Sequence, residues 1–144
     1  MQDDVVIAEE GFHIIYGGYG DDTLISEPKI NLNGADDLTG GAGTDTFVIG
    51  HNPNTVVNNQ AFIKDFSPGE IIFAKAGGFF TGGVGCTYIN RITYDQVFTA
   101  LGEFEELRVS IILGSGDTNI CADGIVNCFT FPYLCVKEAT GSLT

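Results

Sequence analysis

A nine-residue pattern of glycine and aspartate constrains this chain more than any other feature. Gly17-Gly18-Tyr19-Gly20-Asp21-Asp22-Thr23-Leu24-Ile25 and Gly40-Gly41-Ala42-Gly43-Thr44-Asp45-Thr46-Phe47-Val48 both read G-G-x-G-x-D-x-U-x, with U a large apolar residue. The first six residues make a tight turn, because glycine reaches backbone angles closed to residues that carry a Cβ. The last three make a short strand whose U side chain points inward, and tandem copies wind a chain into a parallel β-helix. The turn also prescribes a ligand. Its carbonyl oxygens and its Asp carboxylate converge, and hard oxygen donors of that kind suit Ca2+.

Weaker copies adjoin both strong ones. Asn31 to Thr39 keeps Gly34, Asp36 and Leu38 in phase and runs directly into the second full copy. Ala8 to Tyr16 keeps Gly11 and Ile15 in phase and runs into the first, with His13 in the aspartate position. The two tandem pairs, 8–25 and 31–48, are separated by Ser26-Glu27-Pro28-Lys29-Ile30. Because successive turns of such a winding alternate sides, an ion needs two stacked turns on one side. The spacer leaves open which turns stack.

On these residues the chain resembles the RTX, or hemolysin-type calcium-binding repeat, family of secreted bacterial proteins. The resemblance continues through Asp45-Thr46-Phe47-Val48-Ile49 and through Phe62-Ile63-Lys64-Asp65-Phe66-Ser67-Pro68-Gly69-Glu70-Ile71-Ile72, and so covers about residues 8–73. It implies a β-roll that folds on binding Ca2+, and export by a type I secretion apparatus. It also argues against an enzyme, since in that family the roll usually follows a separate effector domain.

The expected fold is therefore all-β. A parallel β-roll or β-helix, a calcium-binding solenoid, takes residues 1–73, and a β-rich capping or assembly section with one short helix takes 74–144. Solenoid ends need such a cap, because an open end exposes apolar side chains and unpaired backbone groups. The helix is expected after Thr93-Tyr94-Asp95-Gln96, a capping box, with Tyr94, Val97, Phe98 and Leu101 on one face and Gly102 as the stop. Val5 to Ile7 reads as a short strand that caps the start of the roll. Leu107, Val109, Ile111 and Leu113 alternate as a half-buried strand. Short strands are expected around Thr118–Ile120, Gly124–Val126 and Cys128–Tyr133. Gly77 to Gly85 is glycine-rich but lacks the sixth-position aspartate, and reads as a loop or bulged strand.

The candidate calcium ligands are Asp22, Asp45 and Asp36, with Gly18, Gly20, Gly34, Gly41 and Gly43 supplying backbone carbonyls. Asp65 either donates to a terminal calcium or caps the Ser67-Pro68-Gly69 turn. Without metal, each aspartate would only accept hydrogen bonds from turn amides. Asp21 and Asp37 fall outside the ligand position and read as solvated charges. His13 marks a weak or lost site, or a transition-metal ligand without partners. His51 reads as a loop residue.

Charge agrees with a cation as partner. With 19 Asp plus Glu against 6 Lys plus Arg, the net charge of −13 disfavours nucleic acid and anionic membrane. No apolar run is long enough for a membrane span. The first residues, Met1-Gln2-Asp3-Asp4, lack the positive region of a secretory signal peptide. Cys86, Cys121, Cys128 and Cys135 favour two disulfides, in any of three connectivities, over four buried thiols or a zinc site. No catalytic motif is present, and cofactors other than Ca2+ are not expected. The expected function is an extracellular calcium-binding structural protein, folding on Ca2+ and serving as a surface, matrix or filament-type assembly unit that self-associates. The alternative is a calcium-rigidified binding module, adhesin or lectin-like, of a secreted bacterial protein.

Overall fold

The computed structural model describes residues 2–9, 11–27, 35–51, 60–76, 86–111, 117–123, 127–132 and 135–137. Seven strands come first: β1 (Val5–Ala8), β2 (Ile14–Tyr16), β3 (Thr23–Ser26), β4 (Ala35–Thr39), β5 (Thr46–His51), β6 (Gln60–Ile63) and β7 (Ile71–Ala76). β8 (Cys86–Thr93), helix α1 (Tyr94–Leu101), β9 (Leu107–Ile111), β10 (Thr118–Ala122), β11 (Asn127–Phe131) and β12 (Cys135–Lys137) follow. They form two six-stranded sheets, one ordered β1-β3-β5-β7-β8-β12 and the other β11-β10-β9-β6-β4-β2. The chain is all-β with one short helix.

Up to β7 the strands alternate between the sheets. Each connection carries the chain across, so strands two apart become neighbours and run parallel: β1–β3–β5–β7 in one sheet and β2–β4–β6 in the other. Beyond that the pairing is antiparallel, from β7 to β8 and β12, and from β6 to β9, β10 and β11. Both sheets are therefore mixed, and the uniform parallel winding expected of a solenoid does not run through them. The physical reason is that no further G-G-x-G-x-D copy occurs after residue 45.

Register explains the core. The apolar U residues of successive repeats fall in rows across each sheet. Val6, Leu24, Phe47, Ile72 and Ile92 are matched partner to partner in one. Ile15, Leu38, Ile63, Leu107 and Ala122 are matched in the other. These rows join in one buried cluster that includes residues of both sheets, with Leu24, Leu38, Phe47, Ile63, Ile72 and Leu107 fully buried. Two polar pairs cross the interior. Ser26 Oγ donates to Asp36 Oδ2 at 2.6 Å, and Asn90 Nδ2 donates to Thr118 Oγ1 at 2.8 Å. Buried polar groups are tolerated because each has a partner.

The helix begins and ends as its sequence dictates. Gln96 N donates to Thr93 Oγ1, Thr93 N donates to Gln96 Oε1 at 2.8 Å, and the Gly102 amide at φ +78° closes on the Phe98 carbonyl. Val97 and Leu101 are buried, whereas Phe98 is 45% exposed and stacks on Tyr94. An aromatic group of Phe47, Phe66, Tyr94 and Phe104 packs between the helix and the 64–70 turn. Among the expectations for the second half, the loop at 77–85 and the strand at 124–126 lie outside the described residues. Cys121 and Cys128 face each other across β10 and β11 and form a disulfide. No helix among the described residues is long and apolar enough to cross a membrane.

Removing the methyl groups of a fully buried U residue costs transfer energy plus a cavity. Leu38→Ala should lower stability by about 3 kcal/mol in urea unfolding, while Phe98→Ala on the exposed face should cost less than about 1 kcal/mol.

Candidate metal centre

The turns that follow β2, β4 and β6 all carry the chain from the second sheet to the first, so they lie on one side of the molecule. These are residues 17–22, 40–45 and 64–70. The spacer thus puts the two full repeats in direct register. Gly17 N donates to Thr39 O at 2.8 Å, Tyr19 bridges to Ala42 in parallel, and Thr46 N donates to Asp22 O at 2.8 Å. Gly18, Gly20, Gly41 and Gly43 all take positive φ, between +89° and +109°. Close approach makes the last two indispensable. A Cβ on Gly41 would collide with the Gly18 carbonyl oxygen, and one on Gly43 with the Gly20 carbonyl. The Gly18 and Gly20 carbonyls are therefore aimed at the neighbouring turn.

The sixth-position carboxylates tie the turns together. Asp22 N donates to Asp45 Oδ1 at 2.9 Å, and Asp45 N donates to Glu70 Oε2 at 3.1 Å. Upstream, Asp4 N donates to Asp22 Oδ1 at 2.8 Å. Four levels are thus stacked, with Asp4, Asp22, Asp45 and Glu70 in equivalent places. A second ladder runs along the rim, where Asp21 N donates to Asp3 Oδ1 and Thr44 N to Asp21 Oδ1, both at 2.8 Å. Asp21 is therefore a ladder member as well as a surface charge. Asp37, the other residue expected to be solvated, pairs with Lys64 at 3.8 Å.

Each bridging aspartate uses one oxygen and leaves the other. Asp22 Oδ2 and Asp45 Oδ2 are buried and have no hydrogen-bond partner, in side chains only 1% exposed. An orphaned buried carboxylate oxygen is costly unless a cation or donor meets it. The space beside Asp22 Oδ2 is walled by a second oxygen. A Cβ built on Gly17 would lie 2.7 Å from Asp22 Oδ2 and 2.6 Å from the Gly40 carbonyl oxygen. Calcium takes oxygen ligands at roughly 2.3–2.6 Å, and backbone carbonyls with carboxylates are its usual donors. The donor set fits that ion. Among the described residues no three His, Cys, Asp or Glu side chains converge as a metal cluster, so any cation here depends on backbone carbonyls.

The remaining candidates are distributed as follows. Asp65 belongs to the same stack, where its two oxygens accept from Gly40 N at 2.9 Å and Gly41 N at 2.8 Å. It caps the 40–45 turn from the next level; the Ser67 amide is taken by Glu70 Oε1 at 2.9 Å. Asp36 lies away from Asp22 and Asp45. It sits on β4 facing the other set of turns, where Oδ1 accepts from His13 N at 3.0 Å and lies 3.1 Å from His13 Nδ1. Its Oδ2 accepts from Ser26 Oγ. His13 and Asp36 therefore meet as Asp22 and Asp45 do, but protein donors reach both Asp36 oxygens. Gly34 lies outside the described residues, and so does the side chain of His51.

Two members of the stack escape a motif search. Gln2-Asp3-Asp4-Val5-Val6 repeats Gly20-Asp21-Asp22-Thr23-Leu24 with glutamine in place of glycine, and Glu70 stands where Asp22 and Asp45 stand, one methylene longer. The signal was the D-D-x-apolar pattern at Asp3–Val6, hidden by the missing glycines. No family model matches this chain, and no curated protein or solved structure matches it either.

Crowding of carboxylates shows in their acidity. Burial pushes Glu70 up from 4.5 to about 7, with amide hydrogen bonds from Asp45 and Ser67 opposing and the Asp45 charge adding. Burial also raises Asp45, against the hydrogen bond from the Asp22 amide. A carboxyl raised in the fold keeps its proton where the unfolded chain has lost it, so metal-free stability falls as pH rises from about 4.5 to about 7 and then levels off. The loss should be on the order of 1–3 kcal/mol. The folded fraction in chelator, read by circular dichroism at both ends of that window, should fall as pH rises, and Glu70→Gln should flatten the slope.

Proposed function

We propose that the stacked turns 17–22 and 40–45 bind Ca2+, and that strands β1 to β7 are a short parallel β-roll of the kind the RTX repeats imply. The observation that carries this reading is the pair of buried, partnerless oxygens, Asp22 Oδ2 and Asp45 Oδ2, with the Gly40 carbonyl set beside the first. Asp22, the Gly40 carbonyl and the inter-level carbonyls of Gly18 and Gly20 would hold the ion. Asp45 lies at the next level with Gly41 and Gly43, and Asp65 at the level after it. Calcium supplies positive charge where like-charged carboxylates are desolvated, and it joins one turn to the next. In a chain of charge −13, that neutralisation favours the compact state.

The work of such a protein is structural and extracellular, as a surface, matrix or assembly unit. Support for assembly comes from the β1/β2 end. Val5 and Ile7 on β1 and Ile14 and Tyr16 on β2 are more than half exposed on edge strands of the two sheets, and Phe12 and Tyr19 beside β2 are exposed to the same degree. Exposed apolar edges of this kind invite pairing.

The test is a calcium titration of chelator-treated protein followed by far-ultraviolet circular dichroism, with magnesium as control. A cooperative gain of β signal with calcium alone is expected. Asp22→Asn should raise the calcium midpoint at least tenfold, about 1.4 kcal/mol or more of binding energy. A spectrum that is folded in chelator and indifferent to calcium would overturn the reading. Sedimentation with and without calcium tests self-association, and a monomer at every concentration would remove the assembly role.

A further inference from the structure

Arg108 is placed away from the carboxylates and against a sulfur. Lys plus Arg number 6 against 19 Asp plus Glu, yet Arg108 makes no ion pair among the described residues. Its Nη2 instead lies 3.2 Å from Cys121 Sγ, and its Nε is buried with no hydrogen-bond partner. Asn119 Nδ2 approaches the same sulfur at 3.7 Å. On the outer face of the second sheet, register sets Phe62, Arg108, Cys121 and Cys128 side by side across β6, β9, β10 and β11.

The two sulfurs of the Cys121–Cys128 disulfide differ in surroundings. Cys121 is fully buried under Arg108, while Cys128 is exposed on β11, an edge strand whose first four residues are all exposed. Thiol–disulfide exchange runs fastest when the attacked sulfur is accessible and the departing sulfur is stabilised as a thiolate. A neighbouring guanidinium lowers the pKa of a thiol. Access therefore selects Cys128 as the target, and Arg108 with Asn119 favours Cys121 as the leaving group.

We propose that Cys121–Cys128 is a directional thiol–disulfide exchange site that takes a low-molecular-weight monothiol or an exposed cysteine thiolate. The incoming thiolate bonds to Cys128 Sγ, the Sγ–Sγ bond breaks, and its electron pair goes to Cys121 Sγ beside Arg108. The products are a mixed disulfide on Cys128 and a thiolate on Cys121. A second thiolate then takes the bound thiol away as its symmetric disulfide and leaves Cys128 reduced. Arg108 acts here as a positioning and charge-stabilising residue. The site lies on a sheet face apart from the stacked turns, and the experiment is run in calcium.

The experiment treats the oxidised full chain with excess cysteamine, quenches with acid at intervals, and maps the adduct by peptide mass spectrometry. The adduct is expected on Cys128 with Cys121 as a free thiol, and mapping keeps it separate from Cys86 and Cys135. Arg108→Gln should slow adduct formation about tenfold, with Arg108→Lys in between. In a Cys128→Ser background, the Cys121 thiolate followed by its ultraviolet absorbance should form below the ordinary thiol value of about 8.5, and adding Arg108→Gln should move it back up. A merely structural arginine would not move that profile. An adduct on Cys121, no adduct at all, or an Arg108→Gln rate equal to wild type would overturn the proposal.

Discussion

The spine of the turn side of this molecule is a buried carboxylate accepting a backbone amide from the level before it. Asp22 receives Asp4 N, Asp45 receives Asp22 N, and Glu70 receives Asp45 N. Hydrogen bonds to a charged acceptor are stronger than those between neutral groups, and each here is largely removed from water. The ladder sets the spacing between levels, and that spacing fixes the parallel register of β1, β3, β5 and β7. The strands then place Val6, Leu24, Phe47 and Ile72 in one buried row. Local turn chemistry and the global core thus agree on one arrangement, which is the condition for a sequence to specify a single fold.

The same ladder creates the electrostatic problem that a cation would resolve. A carboxylate has two oxygens, and one amide per level satisfies only one of them. On the His13–Asp36 side the second oxygen has been given a protein donor, Ser26 Oγ. On the Asp22–Asp45 side it has not. The two sides therefore meet one packing requirement differently, through a hydroxyl donor at Asp36 and an unused acceptor oxygen at Asp22 and Asp45. Burial of uncompensated carboxylates is also why Glu70 holds its proton to about 7.

Much of this was legible in the residues. The repeat phase predicted which side chains face inward, and Leu24, Leu38 and Phe47 are all fully buried. The capping box at Thr93 and the stop at Gly102 located the helix, because both are local hydrogen-bond patterns. What the sequence left open depended on non-local geometry. Which turns stack required knowing that the spacer returns the chain to the same side. Asp36 carries the same motif position as Asp22 but meets His13 and Ser26, residues 23 and 10 positions away. Asp4 and Glu70 were missed because one lacks the glycines and the other is not an aspartate, although the backbone treats them alike. Arg108 had no motif at all, and only strand register brings it to Cys121.

The ladder also has a direction. Every sixth-position carboxylate is served from upstream, so each level completes the one below it and depends on the one above. Losing the first level strips Asp22 of its only amide, whereas losing the last leaves the upper carboxylates served. Such a stack resembles a column of hooks: loss of the first level takes an amide from a carboxylate, and loss of the last takes an acceptor from an amide. The short segment Gln2–Asp4, the least repeat-like stretch of the column, is therefore the one that supplies the amide Asp22 depends on.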